Sequence, residues 1–69
     1  LFYKKQYWDA LDETNAALDL VPDSAQALAL KGSIYYKMGL IPEARSSWEE
    51  ALRIDPELEQ VKTSLSRLP

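Results

Sequence analysis

The 69-residue sequence contains no cysteine and no histidine. Disulfide bridges and the usual zinc ligands, which small domains often use to supplement a thin core, are therefore excluded. The missing cysteine is compatible with any cellular compartment and identifies none. Nucleophile and general-base roles would fall to carboxylates, lysine, serine or tyrosine. Long apolar runs are absent as well: no stretch of the chain approaches the ~20 residues of a membrane-spanning helix, and no signal peptide is visible. Positive charge is scarce, with eight Lys and Arg against eleven Asp and Glu, a net charge of −3 and a pI near 4.7. That balance argues against general binding to nucleic-acid phosphates. What is present is the composition of a folded domain, 46% hydrophobic and 28% charged. The length permits one small domain of marginal stability. The opening Leu1-Phe2-Tyr3 is apolar and aromatic, which reads as a start within a helix and leads us to expect a piece of a longer protein.

Prolines divide the chain. Pro22, Pro42 and Pro56 separate segments that are each about one helix long, because a residue before proline resists helical dihedrals. Trp8 to Leu20 reads as a helix with Ala10, Ala17 and Leu18 on one face. Asp23 or Ser24 can cap the next helix, expected over residues 25–38 with Ala27, Leu28, Ile34, Tyr35 and Met38 at helical spacing. Gly39 is free to take the left-handed conformation that ends a helix. Pro42 suits the first position of the following one, expected over residues 42–54, with Glu43 at the positive end of its dipole. Ala44, Trp48, Ala51 and Leu52 form its apolar face. A last helix, about residues 57–68, carries a thin stripe of Leu58, Val61, Leu65 and Leu68. No segment alternates with the period of a strand, so the chain reads as all helix.

Sliding the chain against itself pairs Ala10 with Ala44, Ala17 with Ala51, Leu18 with Leu52 and Pro22 with Pro56, all at an offset of 34 residues. Within one period the pattern runs Leu28-x2-Lys31-Gly32-x2-Tyr35, then Ala44-x3-Trp48, then Pro56. Two helices in a 34-residue unit with these small and aromatic positions are the signature of the tetratricopeptide repeat. The chain therefore resembles a tetratricopeptide repeat (TPR) protein over nearly its whole length. The resemblance implies an all-α fold of antiparallel helix-turn-helix units stacked as a short right-handed α-solenoid. It divides the chain into a partial first repeat at 1–24, holding the end of a first-type helix and a second-type helix over about 8–20. A complete repeat at 25–56 and a C-terminal solvating helix at 57–69 follow. Gly32, Ala44 and Ala51 would then allow close helix approach, with Tyr35 and Trp48 filling the space they frame. Departures are Lys31 and Arg45 at usually aliphatic positions, where their stems can lie on apolar surface. Thr14 stands at the position that Trp48 occupies one repeat later, and Ser66 where a third repeat would have glycine.

No catalytic constellation is visible. The acidic pairs Asp12-Glu13 and Glu49-Glu50 lie on polar helix faces, Ser46, Ser47, Ser64 and Ser66 read as helix-surface residues, and no calcium-loop spacing occurs. The resemblance implies a protein-interaction scaffold that is not an enzyme and uses no cofactor. In that family the first helix of each pair lines a concave groove for a partner. On this chain the groove would hold Gln26, Ala29, Leu30, Ser33, Tyr36 and Lys37. Phe2 and Tyr3 would precede them, and Thr63, Ser64 and Arg67 would extend them. Family members that clamp a chaperone's terminal carboxylate use lysine and asparagine where this chain has Gln26 and Leu30, which argues against that sub-class. Leu30 and Tyr36 could equally pack on a neighbouring helix.

Residues 24–42 carry two lysines and no acid, residues 7–23 five acids and no base, and residues 43–57 five acids against two arginines. This fits either local attraction between neighbouring helices or a mildly positive groove suited to an acidic or amphipathic protein segment. The alternative function is structural: repeats bury their faces against neighbours and about three are normally needed. An end face of Phe2, Tyr7, Trp8 and Leu11 would then self-associate or stack on other repeats. Neither reading involves nucleic acid or membrane insertion.

Overall fold

The computed structural model describes the backbone of residues 2–69 and the side chains of residues 5–69. It holds four helices: α1 (Phe2–Leu20), α2 (Ala25–Lys37), α3 (Ile41–Ile54) and α4 (Glu59–Ser66), with no strand among the described residues. The chain is all-α. Consecutive helices pack on one another, α1 with α2, α2 with α3 and α3 with α4. The result is a slab of 34 × 32 × 16 Å. A body that thin has room for only a narrow interior, and the most deeply buried residues are alanines, Ala44 and Ala51, both 0% exposed.

The helix ends follow from local chemistry. Ser24 has extended backbone dihedrals, and its hydroxyl accepts the Ala27 amide at 3.2 Å, which satisfies one of the orphan donors at the start of α2. Gly39 adopts φ +82°, a conformation disfavoured for residues with a Cβ. The turn lets the Gly39 and Leu40 amides donate to the carbonyls of Tyr36 and Tyr35 at 3.0 and 2.9 Å. Pro42 lies in the first turn of α3, where its missing N–H costs nothing. Asp55 accepts the Glu57 amide at 3.1 Å and shapes the turn into α4.

Several boundaries differ from the sequence reading. The helix expected from residue 8 starts at Phe2, so no turn divides an earlier helix from it. The repeat supplies a reason: Lys5 stands 34 residues before Gly39, and lysine is a good helix former that gains nothing from the left-handed region. Helix α4 is shorter than expected because residues 57 and 58 belong to the preceding turn.

The core centres on Trp48, packed with Ala44 and Val61 and flanked by Ala29, Tyr35, Leu52, Leu58, Leu65 and Leu68. Trp48 is 4% exposed, and its indole N–H donates to the Ala29 carbonyl at 3.0 Å, so its single polar atom is satisfied. Gly32 lies directly against this ring: a Cβ built there would stand 2.4 Å from the indole. The glycine therefore makes room for Trp48 itself. Lys31 and Arg45 find partners at the surface, Lys31 6.0 Å from the Tyr35 ring centroid and Arg45 donating to the Pro69 carbonyl at 2.8 Å.

On α1 the buried stripe is Leu11 and Thr14, with half-buried Tyr7 and Leu18 in the same helical phase. Leu11 is 2% exposed, which corrects its assignment to an exposed end face: its phase places it in the packing against α2. Trp8, in another phase, is 54% exposed. Ser47 is buried as well, contrary to the surface reading, because it shares the face of Ala44, Trp48 and Ala51 that packs on α2.

Candidate functional site

Helices α2 and α4 flank α3 and leave a cleft between them. Two concavities occupy it. The larger, about 520 Å³, is lined by Gln26, Ala29, Leu30 and Ser33 of α2, by Trp48 of α3, by Glu57 and Leu58 of the turn, and by Glu59, Gln60, Val61 and Ser64 of α4. The smaller, about 200 Å³, is lined by Ser33, Tyr36, Lys37, Trp48, Ser64 and Arg67. Ser33, Trp48 and Ser64 are common to both, so the two form one continuous groove.

The walls arise from helical phase. Gln26, Leu30, Ser33 and Lys37 recur at spacings of three and four along α2 and form one stripe. Gln60, Ser64 and Arg67 do the same on α4. Trp48 reaches the groove from α3 because Gly32 leaves its ring a path. Leu30 is 55% exposed and Tyr36 50% exposed, so both present apolar surface to solvent. The Tyr36 ring lies 5.9 Å from that of Trp48 at 35°. The Ser33 hydroxyl donates to the Ala29 carbonyl at 3.2 Å, the same oxygen that accepts the Trp48 indole, and keeps its lone pairs for a further donor.

Of the residues expected in the groove, Gln26, Ala29, Leu30, Ser33, Tyr36, Lys37, Ser64 and Arg67 line it together. Thr63 does not line either concavity. Adjacent helical residues point about 100° apart, and burial of Val61 fixes the phase so that Ser64 faces the cleft and Thr63 solvent. The side chains of Phe2 and Tyr3 lie outside the described residues. The sequence reading missed the contributions of Trp48 and of the segment 57–61. Asp55-Pro56 marked a turn there, and that turn and the start of α4 bring one carboxylate each, Glu57 and Glu59, to the rim.

Those carboxylates change the electrostatics. A mildly positive groove was one of the two readings of the lysines in residues 24–42. Instead Glu57 and Glu59 stand at one end, and Lys37 and Arg67 at the other. Glu59 pairs with Lys62 at 3.2 Å, an exposed contact. On the outer face of α3, Arg53 pairs with Glu50, and this hydrogen bond holds the Glu50 carboxyl below its ordinary pKa. Among the described residues no group of three or more side chains is placed to hold a metal ion, and no helix is long and apolar enough to cross a membrane.

A second concavity system lies on the other side of α2. An open hollow of about 340 Å³ is bordered by Ala10, Glu13, Thr14 and Ala17 of α1 with Ala27, Leu30 and Ile34 of α2. Leu30 forms the ridge between this hollow and the main groove.

Comparison with known proteins agrees with the internal period. The chain is 42% identical over 55 residues to anaphase-promoting complex subunit 7 of Homo sapiens, covering 80% of this chain and 10% of that protein. It is 35% identical over 57 residues to the protein STIP1 homolog of Dictyostelium discoideum, covering 83% and 10%. It is 34% identical over 62 residues to the heat shock protein sti1 homolog of Schizosaccharomyces pombe, covering 90% and 10%. The chain thus spans about a tenth of the length of these curated relatives. No solved structure matches it. The tetratricopeptide repeat family profile matches residues 25–58, one full 34-residue period containing Gly32, Ala44, Trp48, Ala51 and Pro56, and the chain belongs to the tetratricopeptide repeat family.

Proposed function

We propose that this chain is a non-enzymatic protein-interaction scaffold whose α2–α4 groove binds a segment of another protein. The observation that carries the reading is the groove's polarity: apolar Leu30, Tyr36 and Trp48 along its length, carboxylates at one end and basic groups at the other. Apolar walls with charge at both ends fit an amphipathic segment and set its direction. Its basic end lies at Glu57 and Glu59, and its acidic end at Lys37 and Arg67. The family of the chain supports an interaction role, and one relative is by name a subunit of a complex. Gln26 and Leu30, the two positions that weigh against a carboxylate clamp, both line the groove.

The test uses two fluorescent peptides of one composition, an apolar centre with lysines at one end and glutamates at the other, differing only in the direction of the chain. One direction binds more tightly, and Lys37→Glu narrows the difference. Tyr36→Ala weakens the preferred peptide about tenfold, as expected for loss of an interface aromatic, and leaves the melting temperature within a few degrees because Tyr36 is half exposed. Equal binding of both peptides, or indifference to Tyr36→Ala, would overturn the reading.

A second reading, a structural element that stacks on other repeats or another copy, is supported by different residues. Ala10 is half-buried and Ala17 exposed, whereas their repeat equivalents Ala44 and Ala51 are 0% exposed. Mass measured over a concentration series separates this reading from the first: a dimer that Ala17→Glu dissolves favours stacking on a copy.

A further inference from the structure

The small concavity at the basic end of the groove, about 200 Å³, is lined by two cations, two serines and two aromatic rings, and by no acid. Lys37 ends α2 and Arg67 caps α4. Among the described residues neither cation is in an ion pair. By contrast Arg53 and Lys62 have Glu50 and Glu59 beside them, and Arg45 donates to the Pro69 carbonyl. The two serines differ. The Ser33 hydroxyl is already donated to the Ala29 carbonyl. The Ser64 hydroxyl is half-buried and has no hydrogen-bond partner among the described residues. The concavity therefore offers three donor groups, an ammonium, a guanidinium and a hydroxyl, and no competing carboxylate.

We infer that this concavity binds a phosphoryl group carried on a serine or threonine side chain of the partner segment. The inference rests on the proposed groove function and names the chemistry at the acidic end of the segment. A phosphorylated side chain carries about two negative charges near neutral pH and three acceptor oxygens. A carboxylate carries one charge and two oxygens. The guanidinium of Arg67 can take two phosphoryl oxygens with its planar fork, while Lys37 acts as a point charge and Ser64 supplies the remaining donor. Both cations sit at helix C-terminal ends, where carbonyl dipoles hold them and partly offset their charge. Attraction scales with the charge of the ligand, so the doubly charged group gains most from what is left. Charge also favours a protein segment over a nucleic acid. The chain is acidic overall, with a net charge of −3, and Glu57 and Glu59 at the other end of the groove would repel a continuing phosphodiester backbone. The segment's apolar centre reaches the concavity directly, because Ser33, Trp48 and Ser64 line both parts of the groove.

The test uses three labelled peptides with the same lysine end and apolar centre, in the preferred direction. They differ in one residue at the acidic end: serine, glutamate or phosphoserine. Anisotropy is read against the 69-residue chain at fixed ionic strength. The phosphoserine peptide is expected to bind about tenfold more tightly than the glutamate peptide, as new charge-assisted hydrogen bonds allow. Lys37→Gln and Arg67→Gln each close most of that gap and leave the serine peptide unaffected. Helicity is retained in both, since both residues are exposed. Arg67→Lys keeps the charge but not the fork and loses an intermediate share. Equal binding of the phosphoserine and glutamate peptides would overturn the inference and leave the groove reading intact. No binding of any of the three would overturn both. A phosphoserine gain that survives both glutamine variants would place the phosphoryl group elsewhere and overturn the inference. Inorganic phosphate binding as tightly as the peptide, or a single-stranded oligonucleotide displacing it equally well, would assign the concavity to a free anion or a nucleic acid and overturn it too.

Discussion

Gly32→Ala isolates the contact on which the main groove depends. Two effects oppose each other. Alanine is the better helix former by about 1 kcal/mol, and on an open helix face the substitution would stabilise. Here the new Cβ would stand 2.4 Å from Trp48 Cδ1 and Nε1, closer than carbon atoms approach without repulsion. The indole has little freedom to yield, being 4% exposed and tied to the Ala29 carbonyl at 3.0 Å. Overpacking of a filled core costs about 1–3 kcal/mol, and loosening the indole hydrogen bond about 1 kcal/mol more. The sum is a net destabilisation of about 1–3 kcal/mol. For a chain of this length each kcal/mol shifts the melting temperature by about 4–8 °C, so a fall of at least ~4 °C is expected in a far-ultraviolet circular dichroism melt. Loss of Trp48 near-ultraviolet signal should accompany it. The companion measurement is Gly32→Ala in a Trp48→Leu background, where the clash is relieved and the helix-propensity gain of up to about 1 kcal/mol remains. A raised or unchanged melting temperature for Gly32→Ala with Trp48 intact would refute the packing argument, as would equal losses in the two backgrounds.

Other expectations follow from single features. Gly39→Ala should cost about 1–2 kcal/mol because of φ +82° alone, with no steric part since nothing lies within 4 Å of the added Cβ; chemical denaturation reads the loss, and Gly39→Asn should recover part of it. Ser24→Ala should cost about 1 kcal/mol through the lost cap to Ala27, seen as faster amide hydrogen exchange in the first turn of α2. The Glu50 carboxyl has a folded-state pKa below its unfolded value because Arg53 hydrogen-bonds the ionised form. Its contribution is therefore present above the unfolded pKa and disappears as pH falls through the folded one. The pair lies at the surface, so Glu50→Gln should flatten the acid limb of a stability-versus-pH curve slightly and leave stability at high salt unchanged.

The repeat was legible because its markers are residues with few alternatives. Gly32, Ala44 and Ala51 are small for steric reasons, Gly39 and Pro42 are fixed by backbone dihedrals, and each recurs or falls at its place in a 34-residue period. Most of the α2 wall of the groove could be read from helical phase. What escaped depended on how elements meet. Glu57 borders the groove from the α3–α4 turn and Glu59 from the first position of α4, whereas the charge count placed Glu57 with the acids of α3 and stopped before Glu59. Trp48 reads as interior but also lines the groove, because its ring lies against Gly32 of α2 while the residue borders both concavities. Leu11 and Ser47 were misplaced because each lies at the edge of an apolar stripe, where burial depends on the neighbouring helix. The start of α1 at Phe2 was missed because aromatic and lysine residues there could suit either the end of one helix or the body of another.

The most direct test of the account is an amide chemical-shift titration of the isotope-labelled chain with the preferred charge-polarised peptide. The account predicts that shifts concentrate in α2 and α4, at Gln26, Leu30, Ser33, Tyr36 and Lys37 and at Ser64 and Arg67. It also predicts that swapping the peptide's charged ends moves the largest changes away from Lys37 and Arg67. Shifts confined to the outer face of α3 or to α1, or spread evenly over the chain, would contradict the assignment of the α2–α4 groove as the binding surface.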